Sequence, residues 1–222
     1  MSQPKFLICA VGGYNLVTYT TDAFPTLNSE PQFYLVQNGS GKGSFFGVRG
    51  ELSLGGNLQD FLLAEVSYDM VSADFTNLTI RAAGNDTGFY LSGSLSYFLI
   101  NVGLKHNFWS GPTPNGLGLQ LCGSFGLIGN DDFGHTELVY TSPSSNVLSH
   151  KVGPDPIPIA SAAELIRIAL RAEITYDIPL LSDWLLTPSI GYDAPLTKVD
   201  PSLNWRAGGL YFGLAVEYMF RS

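Results

Sequence analysis

Gly208-Gly209-Leu210-Tyr211-Phe212-Gly213-Leu214-Ala215-Val216-Glu217-Tyr218-Met219-Phe220 closes the chain and decides how the rest is read. Leu210, Phe212, Leu214, Val216, Tyr218 and Phe220 recur at every second position, with Tyr211, Gly213, Ala215, Glu217 and Met219 between them. A strand sends successive side chains to opposite faces. One face is therefore a continuous apolar and aromatic stripe. The other is small or polar and carries one carboxylate.

The same two-residue period recurs upstream. It predicts strands over 5–17, 44–54, 60–71, 88 to the turn at 109, 117–128, 164–178 and 184–194, eight in all with the last. In the sixth, Ile166, Ile168, Leu170, Ala172, Ile174, Tyr176 and Ile178 form one face, and Arg167, Arg171, Glu173, Thr175 and Asp177 the other. In the third, Leu62, Ala64, Val66, Tyr68 and Met70 oppose Glu65, Ser67 and Asp69; in the seventh, Thr187, Ser189 and Asp193 oppose Leu186, Ile190 and Tyr192. The fourth slips parity between Leu95 and Phe98, which predicts a bulge near Tyr97. The polar stretches 18–43, 72–88, 129–163 and 195–206 read as long loops. Gly55-Gly56-Asn57, 109–116 and 179–183 read as tight turns.

Composition agrees. Only 14% of the 222 residues are charged, yet no apolar run approaches the 18 or so residues a membrane-spanning helix needs. Short alternating segments instead are the signature of a transmembrane barrel. A net charge of −8 argues against nucleic acid, which selects a basic face. Lys5 and the short apolar run after it resemble a worn signal peptide. The run continues with strand character into Gly12-Gly13-Tyr14-Asn15-Leu16, so it is taken as the first strand, with Met1-Ser2 standing in place of an export signal.

A soluble barrel also alternates, with its apolar face inward. Eight strands enclose a space only just wide enough to be filled by side chains, and the large residues of the apolar stripe exceed it. The stripe is therefore expected to face lipid. The expected lumen cluster is then Arg49, Lys105, Arg167 and Arg171 against Glu51, Glu65, Glu173 and Glu217, a balanced set that pairs and plugs the interior. Trp109, Trp184, Tyr176, Tyr218 and Phe220 are expected to form an aromatic girdle at the membrane interface.

Gly12-Gly13-Tyr14-Asn15, Arg49-Gly50-Glu51, Ala64-Glu65-Val66-Ser67-Tyr68 and the terminal aromatic strand resemble the small OmpA-type and OmpX-type barrels of bacterial outer membranes. The resemblance implies one domain over 1–222, an all-β antiparallel up-and-down transmembrane barrel with both termini periplasmic and four long connections outside. It implies contact with outer-membrane lipid and lipopolysaccharide, and a monomer. OmpA-like proteins often carry a peptidoglycan-binding domain after the barrel, whereas this sequence ends at its eighth strand.

Candidate chemistry is sparse. Cys9 and Cys122 fall on opposite walls, too far apart for a disulfide. His106 is expected at the periplasmic interface on the lipid side. His135, Ser149 and His150 with Asp131 and Asp132 offer a conceivable Ser/His/Asp set in the longest loop. The His-x-Ser-Asn run of lipid A deacylases is absent, and adjacent acids are usually just solvated, so no catalytic residue, metal or cofactor is assigned. The expected function is non-enzymatic: surface presentation through 18–43 and 129–163, or envelope integrity. A small solute or ion channel is the second reading and a lipid A-modifying enzyme the third.

Overall fold

The alternation becomes ten strands in the computed structural model of the chain, which describes residues 4–20, 32–34, 39–54, 59–82, 85–109, 115–141, 147–152, 166–198 and 206–221. They are β1 (Pro4–Thr20), β2 (Gln32–Tyr34), β3 (Gly39–Ser53), β4 (Asp60–Ala82), β5 (Asn85–Asn107), β6 (Gly116–Thr141), β7 (Val147–Val152), β8 (Ile166–Pro179), β9 (Trp184–Pro195) and β10 (Arg206–Arg221). Leaving aside the short β2 and β7, eight strands pair antiparallel in chain order, and β1 closes the ring on β10 from Phe6↔Phe220 to Thr20↔Arg206. Closure leaves these strands no unpaired edge inside a membrane, where an orphaned backbone amide would be costly.

Partner rows wind around the barrel. From Lys42 on β3 they pass through Leu16, Leu210, Tyr192, Ala172, Leu121, Leu104 and Leu62, and return to β3 at Leu52, ten residues from the start. That stagger tilts the strands by roughly 40°. Phe6, Ile8, Tyr14 and Leu16 on β1, and Leu210, Phe212, Leu214, Val216 and Phe220 on β10, are each between 38% and 49% exposed. The span from Phe6 to Leu16, tilted, is about 25 Å tall, the height of the apolar band of an outer-membrane-type barrel.

At the end holding the termini, the turn after β8 is short: the Leu180 and Leu181 amides both donate to the Trp184 carbonyl (2.9 and 3.4 Å). Between β5 and β6, Phe108 donates to the Leu117 carbonyl at 2.9 Å. Gly116 there takes φ +140°, a conformation that L side chains rarely adopt. The expected turn at Gly55-Gly56-Asn57 and most of that at 109–116 lie outside the described residues, as does Met1-Ser2.

The far end departs from expectation. The stretch 72–88 is not a loop: β4 runs to Ala82 and β5 starts at Asn85. The stretch 129–163 holds the rest of β6 and all of β7, and 18–43 holds the end of β1, β2 and the start of β3. β2 pairs with β4, and β7 with β6, so a five-stranded sheet β2-β4-β5-β6-β7 rises above one wall. These extensions read as loops because a sheet above lipid has no need of an apolar outer face, so alternation fades while the hydrogen-bonded ladder continues. The predicted bulge exists, with register shifting between Ser96 and Tyr97, but the extra residue is Gly129 on β6. Leu95 faces inward with Tyr97 and Leu99, so β5 keeps its parity there.

Candidate functional site

The inward face fills the barrel in layers. Nearest the termini, Leu7, Cys9, Val11, Phe61, Leu185, Ala215 and Met219 pack together, with Trp109 against them. Toward the far end Tyr19, Ala73, Leu95, Tyr97, Leu99 and Ala207 form a second apolar layer. The charges run from among the first layer up to the second: Leu7 pairs with Glu51 and Phe61 with Lys105, and Arg167 reaches Tyr97. Glycine supplies room for the bulkiest side chains: a Cβ on Gly191 would stand 2.4 Å from the Tyr211 ring, and one on Gly13 would stand 2.6 Å from that of Phe45. Phe45 and Tyr211 meet edge to face at 5.9 Å.

All eight expected lumen charges are buried and face inward. Arg49 donates from Nη2 to Glu217 Oε1 at 3.0 Å and from Nη1 to Gln120 Oε1 at 3.2 Å, and its Nε lies 3.0 Å from Glu51 Oε1 as an ion pair. Lys105 Nζ lies 3.4 Å from Glu51, 3.2 Å from Asp177 and 3.9 Å from Glu217. Higher up, Arg171 grips Asp193 with Nε and Nη2 (2.7 and 3.0 Å), and Arg167 Nη2 adds a third bond at 3.1 Å. Arg171 also lies over the Tyr211 ring, 4.4 Å from its centre, and Arg167 over Tyr97 at 5.5 Å.

The expected balance of charge is corrected. Asp69, Asp177 and Asp193 are buried too, so four cations face seven carboxylates. The two-residue period places these aspartates on the inward face as well. Neutral donors serve the surplus: Gln120 Nε2 to Glu173 (2.8 Å), Asn101 Nδ2 to Glu65 (2.8 Å), Thr187 Oγ1 to Asp177 (3.1 Å) and Asn15 Nδ2 to Asp69. Amides and hydroxyls carry no charge, so a tally of charged residues does not reveal them.

Apolar outside and charged inside, the barrel inverts the soluble arrangement. This is a transmembrane barrel of the outer-membrane type. No protein family matches the sequence, and no curated protein does. Among solved structures, the outer membrane protein OprG from Pseudomonas aeruginosa is 9% identical at TM-score 0.46, with 100% of this chain and 99% of OprG covered. Ail, the attachment invasion locus protein of Yersinia pestis, solved with the heparin analogue sucrose octasulfate, is 11% identical at TM-score 0.40, covering 96% and 99%. Neisserial surface protein A is 13% identical at TM-score 0.37, covering 97% of each chain. Likeness at these identities concerns fold and says nothing of activity.

The expected girdle is corrected at one position. Tyr176, Trp184, Tyr218 and Phe220 lie on the outer face, with Tyr218 5.1 Å from Trp184 and 4.9 Å from Phe220 between ring centres. Trp109 instead packs against the apolar layer that closes the lumen, while Phe108, 66% exposed, points outward. The chain turns there, so strand parity no longer applies. His106 is half-exposed on the lipid side, with Nδ1 2.7 Å from Asp60.

Cys9 and Cys122 are free and buried. Cys9 Sγ sits within 4.8 Å of oxygens of Glu51 and Glu217, but Arg49 and Lys105 already neutralise those carboxylates, and a metal ion would meet both cations. The loop set is not brought together. Asp131 pairs with Leu95, while His150 pairs with Leu138 farther along β6, about 23 Å away at the rise of a strand. The side chains of Asp131, Asp132, His135, Ser149 and His150 lie outside those described.

Proposed function

We propose that this protein is a non-enzymatic, non-conducting barrel of the bacterial outer membrane that holds its five-stranded sheet outside the cell for contact with other surfaces or macromolecules. Both termini are then periplasmic, because the short turn at 180–183 lies at their end and the long connections lie opposite. The carrying observation is the filled lumen. Glu51 and Glu217 are 0% exposed, Lys105 1% and Arg49 3%, and apolar side chains pack among and above these charges. Ions crossing such an interior would have to break buried pairs, so any activity is left to the far end. The barrel is taken as a monomer in contact with lipid over its whole belt.

The test compares intact cells making the full chain with cells making a variant whose residues 130–152 are replaced by a short Gly-Ser turn. Heat-modifiable gel mobility, which reports barrel folding, should survive in both. Autoaggregation and adhesion to polystyrene should rise with the full chain and fall back in the variant. Adhesion unchanged by the replacement would remove the sheet from the function.

A further inference from the structure

Arg49, Glu65, Arg171, Glu173, Ser189 and Tyr211 line one internal cavity of about 10 Å³. That is room for a single water-sized molecule. Arg49 and Glu173 belong to the charges nearer the termini, and Arg171 and Glu65 to those above. Among the described residues no hydrogen bond or ion pair joins the two groups: Arg49 is spent on Glu51, Glu217 and Gln120, and Arg171 on Asp193 with Glu65 beside it.

Tyr211 brings an unanswered donor to this space. Along one row Tyr211 pairs with Gly191, and Gly191 with Glu173. The end of the ring lies over Gly191, where an added Cβ would strike the hydroxyl oxygen, so the hydroxyl reaches across β9 toward Glu173. Arg171 on the ring face and Phe45 at its edge hold it there. The hydroxyl is buried and has no hydrogen-bond partner among the described residues. In a low-dielectric interior a group left so is costly. The carboxylates beside it have capacity to spare. Glu173 accepts from Gln120 and Glu65 from Asn101, each at 2.8 Å, whereas a carboxylate offers about four acceptor sites. Arg171 Nη1 lies 3.7 Å from Glu65, too far for a direct hydrogen bond and a separation at which a water can serve both.

We propose that this cavity is a binding site for one water molecule, which accepts from the Tyr211 hydroxyl and donates to Glu65 and Glu173, joining the two groups of charge into one core. The ligand must be neutral and must both donate and accept. A cation placed there would meet two guanidinium groups and a phenol hydrogen. An anion would meet two carboxylates. Water has the lone pair that the hydroxyl needs and one hydrogen for each carboxylate.

The experiment crystallises the unaltered full chain and looks for ordered water in the lumen, with a parallel crystal soaked in a rubidium salt. One density peak is expected within hydrogen-bond distance of Tyr211 Oη and of a carboxylate oxygen on each of Glu65 and Glu173, unchanged by the soak. Tyr211 Oη bonded straight to Glu173 with no peak between them would overturn the site. So would a peak that touches only one of the two groups, and an anomalous rubidium signal would make it a cation site instead. Tyr211→Phe supplies an independent readout in solution, because it keeps the ring and removes only the hydroxyl. If the hydroxyl is answered by water, the variant should lower the folding equilibrium constant about tenfold in a reversible urea titration in lipid vesicles. An unchanged or higher constant, with folding shown by gel mobility, would mean that the substitution had relieved an unsatisfied group, and the water would be struck out. Should the variant not fold, the peak in the unaltered protein decides alone.

Discussion

Around Arg49 and Lys105, two cations are shared among Glu51, Glu217 and Asp177, with Glu173 tied in through Gln120. Around Arg171 and Arg167, two cations converge on Asp193, and Glu65 and Asp69 lean on Asn101 and Asn15. In the lower network, removing Arg49 leaves Glu217 with Lys105 as its cation, 3.9 Å away. In the upper network, Asp193 keeps a 3.1 Å hydrogen bond to Arg167 when Arg171 is gone. Equal burial therefore does not mean equal sensitivity.

The largest expected effect follows from that asymmetry. Arg49→Met should destabilise the folded barrel by about 3–5 kcal/mol, the cost of leaving buried charge without its partner. Adding Glu217→Gln to it should recover at least ~1 kcal/mol, because residues in one network couple. A reversible urea titration in lipid vesicles measures both, and full additivity would dissolve the lower network as a unit.

A control comes from the outer wall. Leu214→Arg, at mid-belt, should cost about 2–4 kcal/mol in the same titration. A neutral result would mean that the apolar face does not meet lipid. Arg171→Met should cost less than Arg49→Met, about 1–3 kcal/mol for the donors lost to Asp193 and Glu65. If it costs as much or more, the hydrogen bond that Arg167 keeps to Asp193 has no energetic meaning. Ala169→Ser should cost least, under about 1 kcal/mol, because the buried Ser124 on the paired strand offers its hydroxyl as a partner.

Much of this was legible in the residues. Within the membrane each side chain faces either lipid or lumen, so a two-residue period specifies both the strand and the direction of every side chain. That is why Leu170 and Arg171, or Val216 and Glu217, could be assigned to opposite faces from sequence. Above the lipid the constraint lapses, and β4, β5 and β6 continue through stretches such as Thr76-Asn77 and Asn130-Asp131-Asp132 that look like loop. Inside the lumen, parity showed which residues meet but not how. The amides of Gln120, Asn101 and Asn15 became visible as answers to the acid surplus only once cross-strand neighbours were fixed. The space above Gly191 that Tyr211 fills depends on the same register. Trp109 escaped because it lies where the chain leaves the strand.

The central claim is that charge fills this lumen as a core and not as a lining. Single-channel recording of the purified, folded protein in planar bilayers tests it most directly. The account predicts a silent membrane, with at most brief, small openings at high voltage. A stable, large and reproducible conductance from the unaltered chain would contradict it, for an open aqueous path cannot coexist with Glu51, Lys105 and Glu217 shut away from water.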